Sequence, residues 1–216
     1  MTPKKLKRVL TVNNLQNQKI KRVPFTGQMQ EAFGNPQENR VWFCYGESGS
    51  GKSSFAMTLA KAYAEHYKTF YNPLEEGTGD SNFIERTKIL NMHEVKDKFH
   101  VQMYNYDNLM EYLAQRNSPA VVVIDSALYC FKNYKEYYEM CRVKFPNKTF
   151  IITGHAQGKK PKTTLEIDIE FDANQKVFCS GYLAQCKGRT IGINGGKYII
   201  WKEGYEKVRG VIEQSA

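Results

Sequence analysis

The sequence has neither paired cysteines nor a long apolar run. Its five cysteines are scattered without a CxxC spacing, and its four histidines are equally dispersed. Such a set argues against a disulfide framework and against a metal site made by protein ligands alone, and it fits a reducing compartment. No apolar stretch approaches the roughly 20 residues that span a bilayer, and residues 9–12 are too short for a signal peptide. We therefore expect a soluble cytoplasmic protein that does not act at a membrane.

Repeats and low-complexity linkers are absent too, so the 216 residues predict one domain, at residues 23–216, after a short arm at residues 1–22. The net charge is +9, and most of it lies in the arm, which has no Asp or Glu. A basic arm on a nearly neutral domain predicts a polyanionic partner, because each cation placed on a phosphate releases counterions. A solvated tail is the alternative. The basic residues of the arm are Lys4, Lys5, Lys7, Arg8, Lys19, Lys21 and Arg22.

Apolar patterning predicts alternating strands and helices, followed by a β-rich end. Short apolar runs predict buried strands at residues 41–45, 69–71, 99–104, 120–124 and 150–153. Helical spacing lies between them at residues 55–63, 80–90, 107–113 (with Asp107 as a cap) and 134–145. Residues 165–171 then alternate with a period of two, and further strands are predicted at residues 177–185 and 198–201. The predicted fold class is α/β: a mostly parallel sheet, helices on both faces, and a C-terminal antiparallel β extension.

Residues 46–53 fit the phosphate-binding pattern GxxxxGK[ST] at every required position. The flanking strand and helix are the context that this loop needs, because its N–H groups and the helix N-terminus face phosphate oxygens. Lys52 is expected to reach the β- and γ-phosphates, and the Ser53 hydroxyl to ligate Mg²⁺. A chance glycine-rich turn is the alternative. The predicted nucleotide-binding residues are Gly46, Glu47, Ser48, Gly49, Ser50, Gly51, Lys52, Ser53 and Ser54.

Asp125 follows the apolar run at residues 120–124 and would lie at the carboxyl edge of the sheet. Ligands bind at that edge in open α/β sheets, and a carboxylate there can hold Mg²⁺ through its water shell. Capping of the next helix is the alternative role.

Residues 147–150 read NKTF and lack the acid of the GTPase motif NKxD, so ATP is favoured over GTP.

Further motifs resemble those of the RecA, RadA and DnaB group of ATPases and occur in the same order. Glu75 and Glu76 close the second predicted strand, where that group carries a glutamate that activates the attacking water. Glu75 matches this catalytic position best, and Glu76 is the second candidate. The alternative to a catalytic role is that the two residues are a pair of acids at the start of a helix. The strand that ends at residues 153–157 carries a γ-phosphate sensor in that group. Gln157 is slightly ahead of His155 for this role.

The resemblance also implies functions for two basic segments. Lys187 and Arg189 resemble a K-x-R motif that reaches the neighbouring subunit's ATP site, and on an extended strand both would project to the same side. An exposed basic turn is the alternative. Lys159, Lys160 and Lys162 follow the sensor strand, where the group has a mobile DNA-binding loop. An ordinary solvated loop is equally compatible with that sequence.

The resemblance covers residues 23–203 and is nearest in style to small phage-type ATPases built on a minimal RadA core, which serve in recombination and single-strand annealing. It implies a RecA-like fold, DNA-stimulated ATP hydrolysis with Mg²⁺, single-stranded DNA as a partner, and a homo-oligomeric ring or filament with ATP at the subunit interface. The compartment would be the cytoplasm of a bacterium or a phage-infected cell. One alternative is a replication accessory or helicase-loader-type ATPase that acts through a protein partner. A small-molecule kinase is disfavoured because Arg86, Arg116 and Arg142 are too dispersed for a lid.

Overall fold

A nine-stranded, mostly parallel sheet organises residues 8–209, the part of the chain that the computed structural model describes. Lys4, Lys5 and Lys7 of the basic arm, and residues 210–216, lie outside the described residues. The strands are β1 (Val41–Gly46), β2 (Thr69–Pro73), β3 (Phe99–Val101), β4 (Val121–Asp125), β5 (Thr149–Gln157), β6 (Lys160–Pro161), β7 (Gln175–Ser180), β8 (Leu183–Cys186) and β9 (Lys197–Ile199).

Neighbouring strands follow the order β3-β2-β4-β5-β1-β7-β8-β9, and β6 pairs with β5. The pairs from β3 to β7 are parallel, whereas β7–β8, β8–β9 and β5–β6 are antiparallel. This confirms the predicted class, a mostly parallel sheet with a C-terminal antiparallel extension. Because β1 lies between β5 and β7, the loop that follows β1 opens at the centre of the carboxyl edge.

Helices cover both faces of the sheet, as predicted. They are α1 (Val12–Gln16), α2 (Gly27–Phe33), α3 (Lys52–Ala64), α4 (Ser81–Ile89), α5 (Tyr106–Ala114), α6 (Ala127–Cys130), α7 (Tyr134–Tyr138), α8 (Thr164–Asp172) and α9 (Lys202–Arg209), with a 3₁₀ turn at Met92–Val95 and a π-helix at Glu139–Lys144. Alternate residues of β1 supply the two cores: Trp42 and Cys44 pack with α2, α3 and α4, and Phe43 and Tyr45 pack with α5 to α8.

The strand predicted at residues 165–171 is wrong, because this segment is helix α8. Thr163 and Glu166 form a capping box at its start, and that local hydrogen bonding outweighs the period-two apolar pattern. Ile169 packs into the core, whereas Phe171 is 85% exposed. The single strand predicted at residues 177–185 is instead two strands, β7 and β8, which pair as an antiparallel hairpin.

Smaller differences concern element ends. The strand predicted at residues 99–104 ends at Val101, and the next helix is capped by Asn105 rather than Asp107. Residues 8–22 are exposed throughout, and burial begins at Val23. Within residues 8–209, none of the helices has both the length and the apolar character needed to cross a bilayer.

Candidate functional site

The phosphate loop (residues 46–53) leaves β1 at Gly46 and enters α3 at Lys52. Gly51 has a φ of +91°, in the left-handed region, and a Cβ there would lie 3.2 Å from the Tyr182 ring. A Cβ on Gly46 would overlap the carbonyl oxygen of Cys179 and the Oγ of Ser50. The loop can therefore close only with glycine at these two positions.

Polar groups of the phosphate loop are buried in a way that fits a bound anion. Ser50 and Lys52 are each 7% exposed. The Ser50 Oγ is buried and has no hydrogen-bond partner within residues 8–209. Such an atom costs free energy unless it is paired, and a phosphate oxygen would supply the missing partner. Ser53 lies in the first turn of α3, the position from which the motif's hydroxyl ligates Mg²⁺.

Asp125 ends β4 and is only 2% exposed. Its two carboxylate oxygens accept hydrogen bonds from the Tyr71 hydroxyl at 2.7 Å and the Thr153 hydroxyl at 2.5 Å. Burial raises the pKa of Asp125, the two hydroxyls oppose that shift, and the charges of Glu75 and Glu76 add to it. A nearby divalent cation would favour the ionised carboxylate, so Asp125 suits the predicted metal role.

Glu75 and Glu76 have different partners, although they are adjacent. The Glu75 N–H donates to the Asp125 carbonyl at 2.9 Å, so this segment is tied to the end of β4. Glu76 accepts two hydrogen bonds from the Arg86 guanidinium, at 2.6 and 2.8 Å, and this contact raises the pKa of Arg86. The Glu75 side chain is 31% exposed, and its Oε1 lies 3.5 Å from His155 Nε2. This arrangement favours Glu75 over Glu76 as the group that faces a substrate.

Of the two candidate sensors, His155 is the one that the structure brings to Glu75. Gln157 lies two residues further along β5, is exposed, and pairs with Lys160 in the β5–β6 hairpin. His155 is opposite Gly46, the first residue of the phosphate loop, in the parallel β1–β5 register. His155 therefore lies beside Glu75 and opposite the first residue of the phosphate loop, and the choice of the γ-phosphate sensor between these two residues stays a prediction.

An aromatic pocket next to the phosphate loop was not predicted from the sequence. It has a volume of about 480 Å³ and includes Ser54, Arg86, Tyr182 and Trp201 in its wall. The rings of Tyr182 and Trp201 meet edge to face at 5.0 Å, and the Tyr182 N–H donates to the Ser50 carbonyl. The pocket's position and apolar wall suit a nucleobase. Its aromatic residues come from the C-terminal part of the chain, and no local pattern joins them to the loop.

The lysines predicted to contact DNA lie on or directly after the β5–β6 hairpin, whose two strands are joined by a two-residue turn. The turn is Gly158-Lys159, and Gly158 has a φ of +65°. The Gly158 N–H donates to Glu47 Oε1 at 3.0 Å, which connects the hairpin to the phosphate loop. Lys159, Lys160 and Lys162 are all exposed.

Lys187 and Arg189 do not lie on a strand, which corrects the expectation that they project to the same side. β8 ends at Cys186, and the chain bends at Gly188, which packs against Gln175. Lys187 shares a pocket of about 260 Å³ with Lys159 and Phe178.

Arg189 instead lies near the amino end of the sheet. Its N–H donates to the Asn174 carbonyl. The pKa of Arg40 is lowered first by burial, then by the charge of Arg142 and then by the charge of Arg189. The Asn174 N–H donates to the carbonyl of Val41, the first residue of β1. The phosphate loop begins at the last residue of this strand, roughly 16 Å away at 3.3 Å per residue.

Two archaeal proteins of known structure have a similar fold. A KaiC-like protein from Pyrococcus horikoshii matches with a TM-score of 0.59 and 20% identity, over 83% of this chain and 94% of that chain. The flagellar accessory protein FlaH from Methanocaldococcus jannaschii matches with a TM-score of 0.59 and 14% identity, over 84% of this chain and 99% of that chain. No protein-family model and no curated protein matches the sequence. At these identities the likeness shows the fold, which is the RecA-like P-loop fold.

Proposed function

We propose that this protein binds Mg-ATP in the phosphate loop and hydrolyses it with Glu75 as the general base. The observation that carries this proposal is the placement of Glu75. Its main chain is held to Asp125 at the carboxyl edge of the sheet, and Arg86 engages the neighbouring carboxylate of Glu76 instead. A partly exposed carboxylate beside a phosphate loop can accept a proton from a water molecule that attacks the γ-phosphate.

In this mechanism the chain's own groups hold the triphosphate and orient the water. The N–H groups of the phosphate loop and Lys52 bind the β- and γ-phosphates, and the pocket beside Tyr182 and Trp201 takes the adenine. Glu75 accepts a proton as the water oxygen bonds to the γ-phosphorus and the bond to the β–γ bridging oxygen breaks, which releases ADP and phosphate. Bound Mg²⁺, held by Ser53 and through water by Asp125, would neutralise charge on the phosphate oxygens.

The proposal extends to assembly, with ATP at a subunit interface. Arg189 lies near the amino end of β1, far from the loop of its own chain. A head-to-tail arrangement could bring it to the ATP of a neighbouring copy, and such heterologous contacts produce rings or filaments. An arginine supplied in this way stabilises the charge that develops on the γ-phosphate.

Single-stranded DNA is the proposed polyanionic partner, in recombination or replication. The exposed lysines of the β5–β6 hairpin and the neighbouring Lys187 supply positive charge beside the ring of Phe178. Cations bind the backbone and aromatic rings stack on bases, which is how single strands are bound without sequence preference. The contact between Glu47 and Gly158 would let this surface respond to nucleotide.

The test of the proposed function is the Lys52→Ala variant, assayed for ATP binding and for hydrolysis with and without single-stranded DNA. Loss of the charge that faces the β- and γ-phosphates should abolish hydrolysis and weaken nucleotide binding strongly. Lys61→Ala is the matched control on the same helix, since Lys61 contacts Glu94 and the Leu90 carbonyl at the other end of α3. It should retain wild-type turnover. Unchanged hydrolysis in Lys52→Ala would remove the proposal.

A further inference from the structure

Glu166 is a fully buried carboxylate, with 0% exposure, on helix α8. One of its oxygens is used by the helix: Oε2 accepts hydrogen bonds from the N–H of Thr163 at 3.0 Å and from its hydroxyl at 2.9 Å. The second oxygen, Oε1, takes no part in this capping box. It accepts a hydrogen bond from the main-chain N–H of His155 at 2.6 Å. A buried charge needs such partners, and one of these three hydrogen bonds comes from the candidate site rather than from the start of the helix.

The imidazole ring of His155 lies between two carboxylates. Its Nδ1 is 3.4 Å from Glu166 Oε1, and its Nε2 is 3.5 Å from Glu75 Oε1. Nδ1 is buried and has no well-aligned hydrogen bond within the described part of the chain. Both separations are long for hydrogen bonds, and contacts of this kind often tighten only when the substrate is bound. The three side chains therefore form a series that runs from the buried Glu166 through His155 to the partly exposed Glu75.

The backbone beside His155 is packed closely enough to hold this series in place. A Cβ on Gly154 would meet the Phe43 ring at 2.8 Å or less and Glu166 Oε1 at 3.2 Å. Only a residue without a side chain lets β5 pass so close to both groups. Because Gly154 precedes His155 directly, this packing fixes the main-chain position from which the His155 side chain projects.

We propose that Glu166 is a positioning residue for ATP hydrolysis and acts on Glu75 through His155. The inference rests on the proposed function, because it assigns Glu75 as the group that activates water. Glu75 lies on the turn after β2, where its carboxylate could rotate away from the water. Glu166 holds His155 by its main chain and ring, and His155 restrains the Glu75 carboxylate. Displacement of a reacting group by about 1 Å can reduce turnover 100-fold, so this restraint affects kcat.

The test compares Glu166→Gln and His155→Ala with the matched control Thr163→Ala. Glu166→Gln keeps the shape of the side chain, and both it and His155→Ala should lower kcat about 10- to 100-fold with little change in the KM or Kd for ATP. Thr163→Ala removes the hydroxyl that caps α8 and its hydrogen bond to Glu166 Oε2, but it leaves the Thr163 N–H on that oxygen and Oε1 on His155. It should lower the melting temperature and leave kcat within about twofold of the wild type, because an N-cap affects helix stability. In a Glu75→Gln background, Glu166→Gln should reduce the residual rate no further, since its effect passes through Glu75.

Each alternative outcome has a separate meaning. Wild-type kcat in Glu166→Gln or in His155→Ala, while Glu75→Gln is inactive, would overturn the positioning role and leave the proposed function intact. Equal losses of kcat in Glu166→Gln and Thr163→Ala would also overturn it, since Glu166 would then act only by capping α8. A wild-type protein without ATPase activity, or a fully active Glu75→Gln variant, would instead remove the proposed function. If Glu166→Gln fails to fold, His155→Ala decides the matter by the same kcat criterion.

Discussion

At the scale of single residues, the different partners of Glu75 and Glu76 lead to opposite predictions. Glu75→Gln should bind ATP but lose hydrolysis by about 100-fold or more, because the amide keeps the shape and cannot accept the proton. Glu76→Gln should keep kcat within a few-fold of the wild type. It should lower stability by about 1–2 kcal/mol, since Arg86 loses a charged acceptor in a largely buried pair.

Steady-state ATPase assays, nucleotide-binding titrations and thermal melts of the two variants check this prediction. Both changes are isosteric and lie on the same turn, so each serves as the control for the other. An inactive Glu76→Gln beside an active Glu75→Gln would show that the base is Glu76 and that Glu75 is the structural member of the pair.

At the scale of elements, the β5–β6 hairpin carries a prediction about DNA. Its three lysines are exposed beside the phosphate loop, and each cation that binds a phosphate of single-stranded DNA contributes about 0.7 to the slope of log K against log salt. Replacing Lys159, Lys160 and Lys162 by Ala should therefore weaken binding and reduce the slope by up to about 2.

The matched control replaces three exposed lysines outside the hairpin, Lys96, Lys135 and Lys144. Binding to a fluorescent single-stranded oligonucleotide, measured over a range of salt concentrations, should change much less in the control than in the hairpin variant. Equal slopes in the two variants would show that the hairpin is a solvated turn and that its lysines do not contact DNA.

At the scale of the whole molecule, the prediction concerns assembly. Arg189 lies near the amino end of the sheet and the phosphate loop at the carboxyl edge, so one chain cannot bring them together. If Arg189 acts across a subunit boundary, Arg189→Ala alone should bind ATP and hydrolyse it about 10³- to 10⁵-fold more slowly. Mixing it with the inactive Glu75→Gln variant should restore part of the activity, because some interfaces then pair an intact Glu75 with an intact Arg189.

ATPase activity of the mixture, relative to each variant alone, is the measurement, with mixed assembly verified by differently tagged chains. Arg40→Ala is the control for loss of positive charge in this region, because Arg40 lies close enough to Arg189 for their charges to interact. It removes a neighbouring cation without removing Arg189. A verified mixed assembly that is no more active than its components would contradict a trans-acting Arg189.

The sequence alone determined those features that depend on residues close together in the chain. The phosphate loop combines a short spacing pattern with a flanking strand and helix. Four of the five apolar runs lie in buried strands as predicted, whereas the run at residues 99–104 gives the short and only partly buried β3. Asp125 was placed correctly at a strand end for the same reason. Local information failed at residues 165–171, where alternating apolar residues predicted a strand. A capping box and the burial of Glu166 and Ile169, three residues apart, stabilise a helix there.

Contacts between distant segments were decided by the tertiary structure alone. Arg86 pairs with Glu76 and leaves Glu75 beside His155, and the parallel register places His155 opposite Gly46. The sheet order brings Tyr182 and Trp201 to the phosphate loop. Lys187 and Arg189 differ by two positions in the chain, yet the bend at Gly188 leaves them with different neighbours. Spacing along a chain predicts geometry only within one regular element, and the packing of elements determines which side chains meet across the site.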